Sequence, residues 1–354
     1  MYFSICNRFC VYFDDSYKNK YGCMDLESVA EISNKDFYSH AGAKLSIYFV
    51  NKNKIKVEMQ APRYSLIYSD DKLGVAIEKY SENEFIIYSS QECPEYIMLF
   101  SEIQLLKVNV TWAHAAALTK DNKTLFLPAK GGVGKTATVV KMIRNHSWKL
   151  LGDDLVILDG ENVKIASFLK RFVIYGYHNN LFPELFMKKG PIRNEQLSSV
   201  LSLMLPNTKR ILRLFPGLLS WARKHNPQQI RVLPTEIFNK NQLADCSSGI
   251  TQAIWLERTS QEGISYKSCK IDEIASRCAG VTLYELTYGD LNLNRCILEL
   301  CAIGELRYEE IYIKLYSIIK SCLAESETAI LCINKDVSID ELSEIVYSRT
   351  LDHN

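Results

Sequence analysis

No run of about 18 uninterrupted apolar residues occurs anywhere in the chain, so a membrane-crossing helix is not expected. There is no Cys-x-x-Cys pair either. Eleven cysteines lie scattered from Cys6 to Cys332, and their odd number argues against a closed disulfide framework. Reduced thiols, and with them a cytoplasmic location, are the expectation. The chain lacks an excess of either charge. Its 42 basic and 41 acidic side chains leave a net charge of +1, so no overall field draws it to nucleic acid or to a membrane surface. It shows no internal repeat and no low-complexity linker. The opening MYFSICNRFCVYF is apolar, but no basic residue precedes the apolar stretch and Arg8 interrupts it, which reads as a strand or hairpin rather than a secretory leader.

What is there is the composition of a globular protein, 47% hydrophobic and 23% charged. At 354 residues the chain suffices for one large domain with an appendage or for two ordinary ones. Residues 1–105 read as a β-rich front domain, with LSIYFV (45–50), YSLIY (64–68) and EFIIYS (84–89) as strands between polar clusters. EYIMLFSEIQLLKVNV (95–110) has the mixed three- and four-residue apolar spacing of a helix. From about 106 to 354 the texture is α/β. TLFLPA (124–129) reads as a buried strand, 134–145 as an amphipathic helix and WKLLG (148–152) as an apolar run. LVIL (155–158) and NVKIA (162–166) flank Asp159-Gly160, a step predicted to supply the positive φ of a tight hairpin turn. AIWLER (253–258) and AILCIN (329–334) are further strands, and 338–351 is a helix with a Ser or Asp cap. Residues 183–228 read as helices broken by prolines, an insertion with eight basic side chains against the single acid Glu195 within 187–226.

The chemistry concentrates at Ala129-Lys130-Gly131-Gly132-Val133-Gly134-Lys135-Thr136. A Gly-rich turn from strand into helix leaves backbone N–H groups pointing into one hollow at the positive end of the helix dipole, which suits phosphate oxygens. Gly131, Gly132, Val133 and Gly134 form that turn, Lys135 reaches the terminal phosphates, and the Thr136 hydroxyl suits Mg²⁺. ATP and Mg²⁺ are therefore the expected ligands. The strict pattern has Gly where Ala129 stands. Asp153 and Asp154 follow Lys135 by 18 and 19 residues, where a base or a metal ligand has to sit if the loop serves phosphoryl transfer. His114, 21 residues before Lys135, is a further candidate, although a lone His in an apolar setting is as often a packed core residue.

In that order, His114-Ala115, the loop 129–136 and Gly152-Asp153-Asp154 resemble the HPr kinase/phosphorylase family and its smaller relatives, which share a nucleotide-binding core with phosphoenolpyruvate carboxykinase. The resemblance covers 105–170 specifically and the rest to 354 loosely, leaving the front part outside. It implies a P-loop core of that type carrying the β-rich N-terminal domain and the helical insertion. It also implies Asp153 as the base that takes the acceptor's hydroxyl proton, with His114 and Lys135 beside it. The expected metal ligands are Thr136 and Asp154. FLKRFVIYGYH, downstream of the Asp pair, contains no carboxylate, so the family's reverse phosphorolysis and carrier-protein substrate are not implied.

The expected function is an ATP- and Mg²⁺-dependent kinase acting on a hydroxyl of a peptide, a protein or a small metabolite, the basic segment leaning toward an anionic one. Nucleic acid is the less expected partner, because Phe186, Phe215 and Trp221 fit a helical core as well as base stacking. A membrane partner is not expected, and a homo-oligomer is left open. Two rivals remain. Lys130 through Thr136 also reads as the deviant Walker loop of partition and septum-positioning ATPases, in which the early Lys130 would be essential. A nucleotide-binding regulatory module without transfer activity is the other.

Overall fold

The computed structural model describes residues 2–5, 8–14, 30–31, 33–49, 66–70, 73–90, 93–175, 178, 181–185, 229–287 and 291–351. The chain is mixed α/β and divides into two compact units, Met1–Lys170 with Asn241–Asn354, and Arg171–Lys240. Most of the basic helical segment, residues 186–228, lies outside the described residues.

The front of the larger unit is built from β1 (Tyr2–Ile5), β2 (Phe9–Phe13), β3 (Ala30–Glu31), α1 (Asn34–Ser39), β4 (Ala43–Phe49), β5 (Leu66–Asp70), β6 (Val75–Ser81) and β7 (Glu84–Ser89). Its strands form one mixed sheet in the order β3-β1-β2-β4-β7-β6-β5. The opening MYFSICNRFCVYF, read as a strand or hairpin, forms two strands, β1 pairing antiparallel with β2. The period-two alternation of β4 and β7 sends Leu45, Ile47, Phe85 and Ile87 into the core.

Helix α2 (Pro94–Lys107) follows, started by a proline in its first turn and ended near Lys107, which suits the dipole. It is buried on nearly every side, Tyr96, Ile97, Leu99, Phe100, Leu105 and Leu106 being joined in the interior by Ser101, Glu102 and Gln104. An all-round apolar helix has to be enclosed. α2 touches β4 and β7 as well as β8 (Val110–Ala113) of the next sheet. The boundary expected at 105/106 falls inside α2, and one buried cluster runs across it, from Phe9, Leu45 and Ile87 to Trp112, Ala117 and Leu151.

The second part begins with β9 (Ala115–Lys120) and β10 (Lys123–Pro128), joined by a two-residue hairpin in which Asp121 and Asn122 both have positive φ, the demand of a type I′ turn. α3 (Lys135–His146), β11 (Lys149–Gly152), β12 (Val156–Asp159) and β13 (Lys164–Ala166) come next. In the smaller unit, β14 (Phe172–Tyr175) pairs antiparallel with β15 (Gln229–Val232), and the single turn α4 (Pro234–Ile237) follows. The larger unit resumes with β16 (Cys246–Ser247), β17 (Gln252–Thr259), β18 (Ile264–Ser268), α5 (Ile271–Thr287), α6 (Leu291–Ala302), α7 (Tyr308–Cys322), β19 (Glu327–Asn334) and α8 (Ile339–Leu351). Ser338 caps α8 as expected, its hydroxyl accepting the Glu341 N–H at 3.1 Å.

Six of these strands form a sheet in the order β11-β9-β10-β17-β19-β18, in which β17 runs parallel to both β10 and β19. A four-stranded sheet has the order β16-β13-β12-β8. The β12–β13 hairpin is present, but its turn differs from the expected tight one. Asp159 pairs with Lys164, leaving the four residues 160–163 in the loop, and the positive φ falls on Val163 rather than Gly160. The cause is the Asp159 side chain. Its carboxylate accepts the backbone N–H groups of Glu161 and Asn162, both at 3.1 Å, and the Asn162 side chain at 2.7 Å, and so builds a wider turn around itself.

Candidate active site

β10 ends by bridging to β17 through Ala129 and Leu256, and the chain then turns through residues 130–134 into α3. Gly132 and Gly134 have φ of +81° and +107°, conformations that an L side chain rarely adopts. A Cβ added to Gly131 or Gly132 would meet nothing within 4 Å, so the loop's outer side is open space of the kind a phosphate needs. Gly134, the N-cap of α3, offers no side-chain cap, which leaves the first N–H groups of the helix for a ligand.

Lys135 is buried, and its ammonium donates to the Ala129 carbonyl at 2.7 Å across the mouth of the loop. Burial pulls its pKa down, against the opposing pull of Asp154 and Asp153. One residue on, the Thr136 hydroxyl donates to Oδ2 of Asp153 at 2.8 Å. β11 delivers that aspartate at its end, with 6% of the residue exposed, and its Oδ1 has no hydrogen-bond partner. Burial, and after it the charge of Asp154, push the Asp153 carboxyl up to about 6.

Asp154, held at a φ of 78°, faces another way. Its side chain keeps 39% of its surface accessible and is ion-paired with Lys170 at 2.5 Å, with Nδ1 of His114 at 3.5 Å. Burial raises the Asp154 carboxyl, but Lys170 first and His114 next outweigh that and hold it below its ordinary value. His114 sits at the bend between β8 and β9, buried, with Nε2 unpartnered. Burial and then Lys135 lower its pKa to about 4, so the ring is neutral near pH 7 and its contact with Asp154 is a hydrogen bond at most, not a charge pair. The Thr282 hydroxyl accepts the His114 backbone N–H at 2.9 Å and so fixes that bend to α5.

All the expected residues of this region are thus brought into one neighbourhood, with the two carboxylates divided: Asp153 against Thr136, and Asp154, the expected metal ligand, against Lys170 and His114. No protein-family model matches this chain, and no curated protein matches it.

Arg258 and Lys170 escaped the sequence reading. Arg258 on β17 donates to the carbonyls of Asn334, Lys335 and Val337 at 2.8 to 3.1 Å and to that of Val133 in the loop at 3.3 Å, tying the loop to the stretch between β19 and α8. Its five-donor fork is what lets one side chain serve four acceptors. Lys170 lies in the FLKRF run, where no spacing connects it to the Asp pair; only the return of the chain past β11, with Phe168 N–H donating to the Leu151 carbonyl at 3.1 Å, brings it there.

Among the described residues no three His, Cys, Asp or Glu side chains gather as a metal site. A magnesium ion commonly takes only one or two carboxylates, completing its shell with water and substrate phosphate oxygens. The Thr136 hydroxyl at the start of α3 fits that donor set as a neutral oxygen beside the loop.

Proposed function

We propose that the chain is an ATP- and Mg²⁺-dependent phosphotransferase that moves the γ-phosphoryl group to a hydroxyl, a kinase of the HPr kinase-like kind. The observation that carries the reading is the buried Asp153 carboxyl, raised to about 6, bonded to the first turn of the helix behind a glycine loop and free on one oxygen. A carboxyl tuned toward neutrality is what general-base work requires, and two neighbouring carboxyls driven apart divide the labour. Asp154 stays ionised beside Lys170, while Asp153 exchanges a proton.

In the proposed step the acceptor O–H gives its proton to Asp153, the acceptor oxygen bonds to the γ-phosphorus, and the bond from that phosphorus to the β–γ bridging oxygen breaks, releasing ADP. Lys135 and the amides of residues 131–136 would hold the β- and γ-phosphates. Thr136 would help hold Mg²⁺, whose charge would offset that of the phosphate oxygens. Neutral His114 orients the Asp153–Asp154 bend through its contact with Asp154. No helix among the described residues is long and apolar enough to cross a membrane.

The test is incubation with Mg²⁺ and γ-labelled ATP, alone and with cell extract. Label on an acceptor, lost in Asp153→Asn and Lys135→Ala but kept in Lys130→Ala, supports the kinase. Release of free phosphate alone, abolished by Lys130→Ala and indifferent to Asp153→Asn, overturns it in favour of a switch ATPase.

A further inference from the structure

Helix α5 presents residues 276, 277, 280, 281, 284 and 285 at the three- and four-residue spacing of a single face. That face walls a cleft of about 990 Å³ that is also lined by Lys130, Gly131 and Val133 of the loop and by the end of β17. The volume is at the upper end of what small-molecule sites use. The charges around it are unevenly committed. Arg258 is spent on four carbonyls, and Arg277 pairs with Glu257 at 3.0 Å and Glu273 at 2.9 Å. Lys130 and Glu285 have no ion pair among the described residues, and Lys130 belongs to the loop that would face phosphate.

That leaves Glu285 as the uncommitted charge on the cleft's helical wall. Burial, and then the Asp154 carboxylate, push its pKa up, with Lys135 and Lys170 opposing, so the cleft extends into the field of the catalytic cluster. Three residues earlier on the same helix, Thr282 is bonded to His114, which fixes this wall to the cluster. With a triphosphate in the loop, the cleft would be bounded by phosphate oxygens at one end and a carboxylate at the other. An anionic guest would be repelled from both.

We propose that this cleft is the acceptor subsite and that it selects a hydroxyl compound carrying a protonated nitrogen, which the Glu285 carboxylate holds. The inference rests on the phosphotransferase reading and gives it a substrate class. The basic residues that leaned toward an anionic acceptor in the sequence fall outside the described residues; of the cleft's own described charges, it is Glu285 on its helical wall that is left without an ion pair.

The test measures equilibrium binding to the full chain loaded with Mg²⁺ and ADP, using two probe pairs: a short peptide with Ser between two Lys against one with Ser between two Glu, and 3-amino-1-propanol against 1,3-propanediol. The cationic member of at least one pair should bind roughly tenfold tighter, the scale of a charge-assisted hydrogen bond. The pair that discriminates identifies the source, peptide or small amino alcohol. Glu285→Lys should reverse the peptide preference. Gly280→Phe, at a position where an added Cβ meets nothing within 4 Å, should fill the cleft and weaken the probes while leaving ADP affinity unchanged. Equal binding within both pairs overturns the proposal, as does indifference to Glu285→Lys, or a Gly280→Phe variant that loses ADP and keeps the probes. Failure of the underlying kinase reading shows separately, as γ-labelled ATP releasing only free phosphate, indifferent to Asp153→Asn, whatever the probes do.

Discussion

Asp153 and Asp154 are chemically identical neighbours given opposite environments by a single change of backbone direction. Asp154, at positive φ, turns its carboxylate to Lys170, and Asp153 is left buried with one hydroxyl donor. If Asp153 is the base, transfer should be slow below about pH 6, where its carboxyl is protonated, and should rise to a plateau above it. A pH–rate profile of kcat checks this, and Asp153→Asn should lower the plateau by about a hundredfold or more without abolishing nucleotide binding. The sequence made this pair legible because an Asp-Asp step at a strand end behind a glycine loop has few other uses. It gave no way to tell which aspartate would face the loop, since that depends on the φ of Asp154 and on Lys170, whose approach is a matter of tertiary path.

At the scale of elements, the loop is held by its neighbours as much as by its glycines. α3 packs against α8, and the Gly134 position lies against Ile339 and Leu342 of that helix. An added Cβ there would stand 3.1 Å from Ile339 Cδ1 at a φ of +107°, so Gly134→Ala should cost about 1–2 kcal/mol in denaturant unfolding and weaken nucleotide binding. α2 makes a different prediction. The Thr111 hydroxyl and the Trp112 N–H donate to its buried Glu102 carboxyl, and burial pushes that group up to about 8 from an ordinary 4.5. A carboxyl that binds its proton more tightly in the folded state makes stability fall as pH rises between those two values. Glu102→Gln should therefore match the wild type in melting temperature near about pH 5 and exceed it near about pH 9, as a thermal scan at several pH values would show. Strands 84–89 and 329–334 and the helices after the loop could be read from periodicity alone. The β12–β13 turn could not, because Asp159 overrides the Asp-Gly propensity with its own hydrogen bonds.

For the larger unit, the continuous core across α2 sets what can be separated. A fragment covering 106–354 would lose Phe9, Leu45, Ile47 and Ile87 from a cluster shared with Trp112 and Leu151, and Arg8 from its ion pairs with Asp159 and Glu161. It should be recovered with weak near-ultraviolet dichroism and exposed apolar surface, whereas the full chain should show neither. The β-rich texture of the front part was plain in the sequence. That the front shares its core with the strands flanking the glycine loop was not, because a helix apolar on all sides says that it is enclosed without saying by what. Lys135 keeps its ammonium inside this fold with the Ala129 carbonyl as its hydrogen-bond partner, and an anion that reaches it binds the folded chain and not the unfolded one. Adding ATP at about a hundred times its dissociation constant should therefore raise stability by about 2.7 kcal/mol, measurable as a shift in melting temperature. If ATP is that anion, the chain should outlast proteolysis while nucleotide is abundant and be cleared faster when it runs short, its half-life becoming a gauge of energy supply.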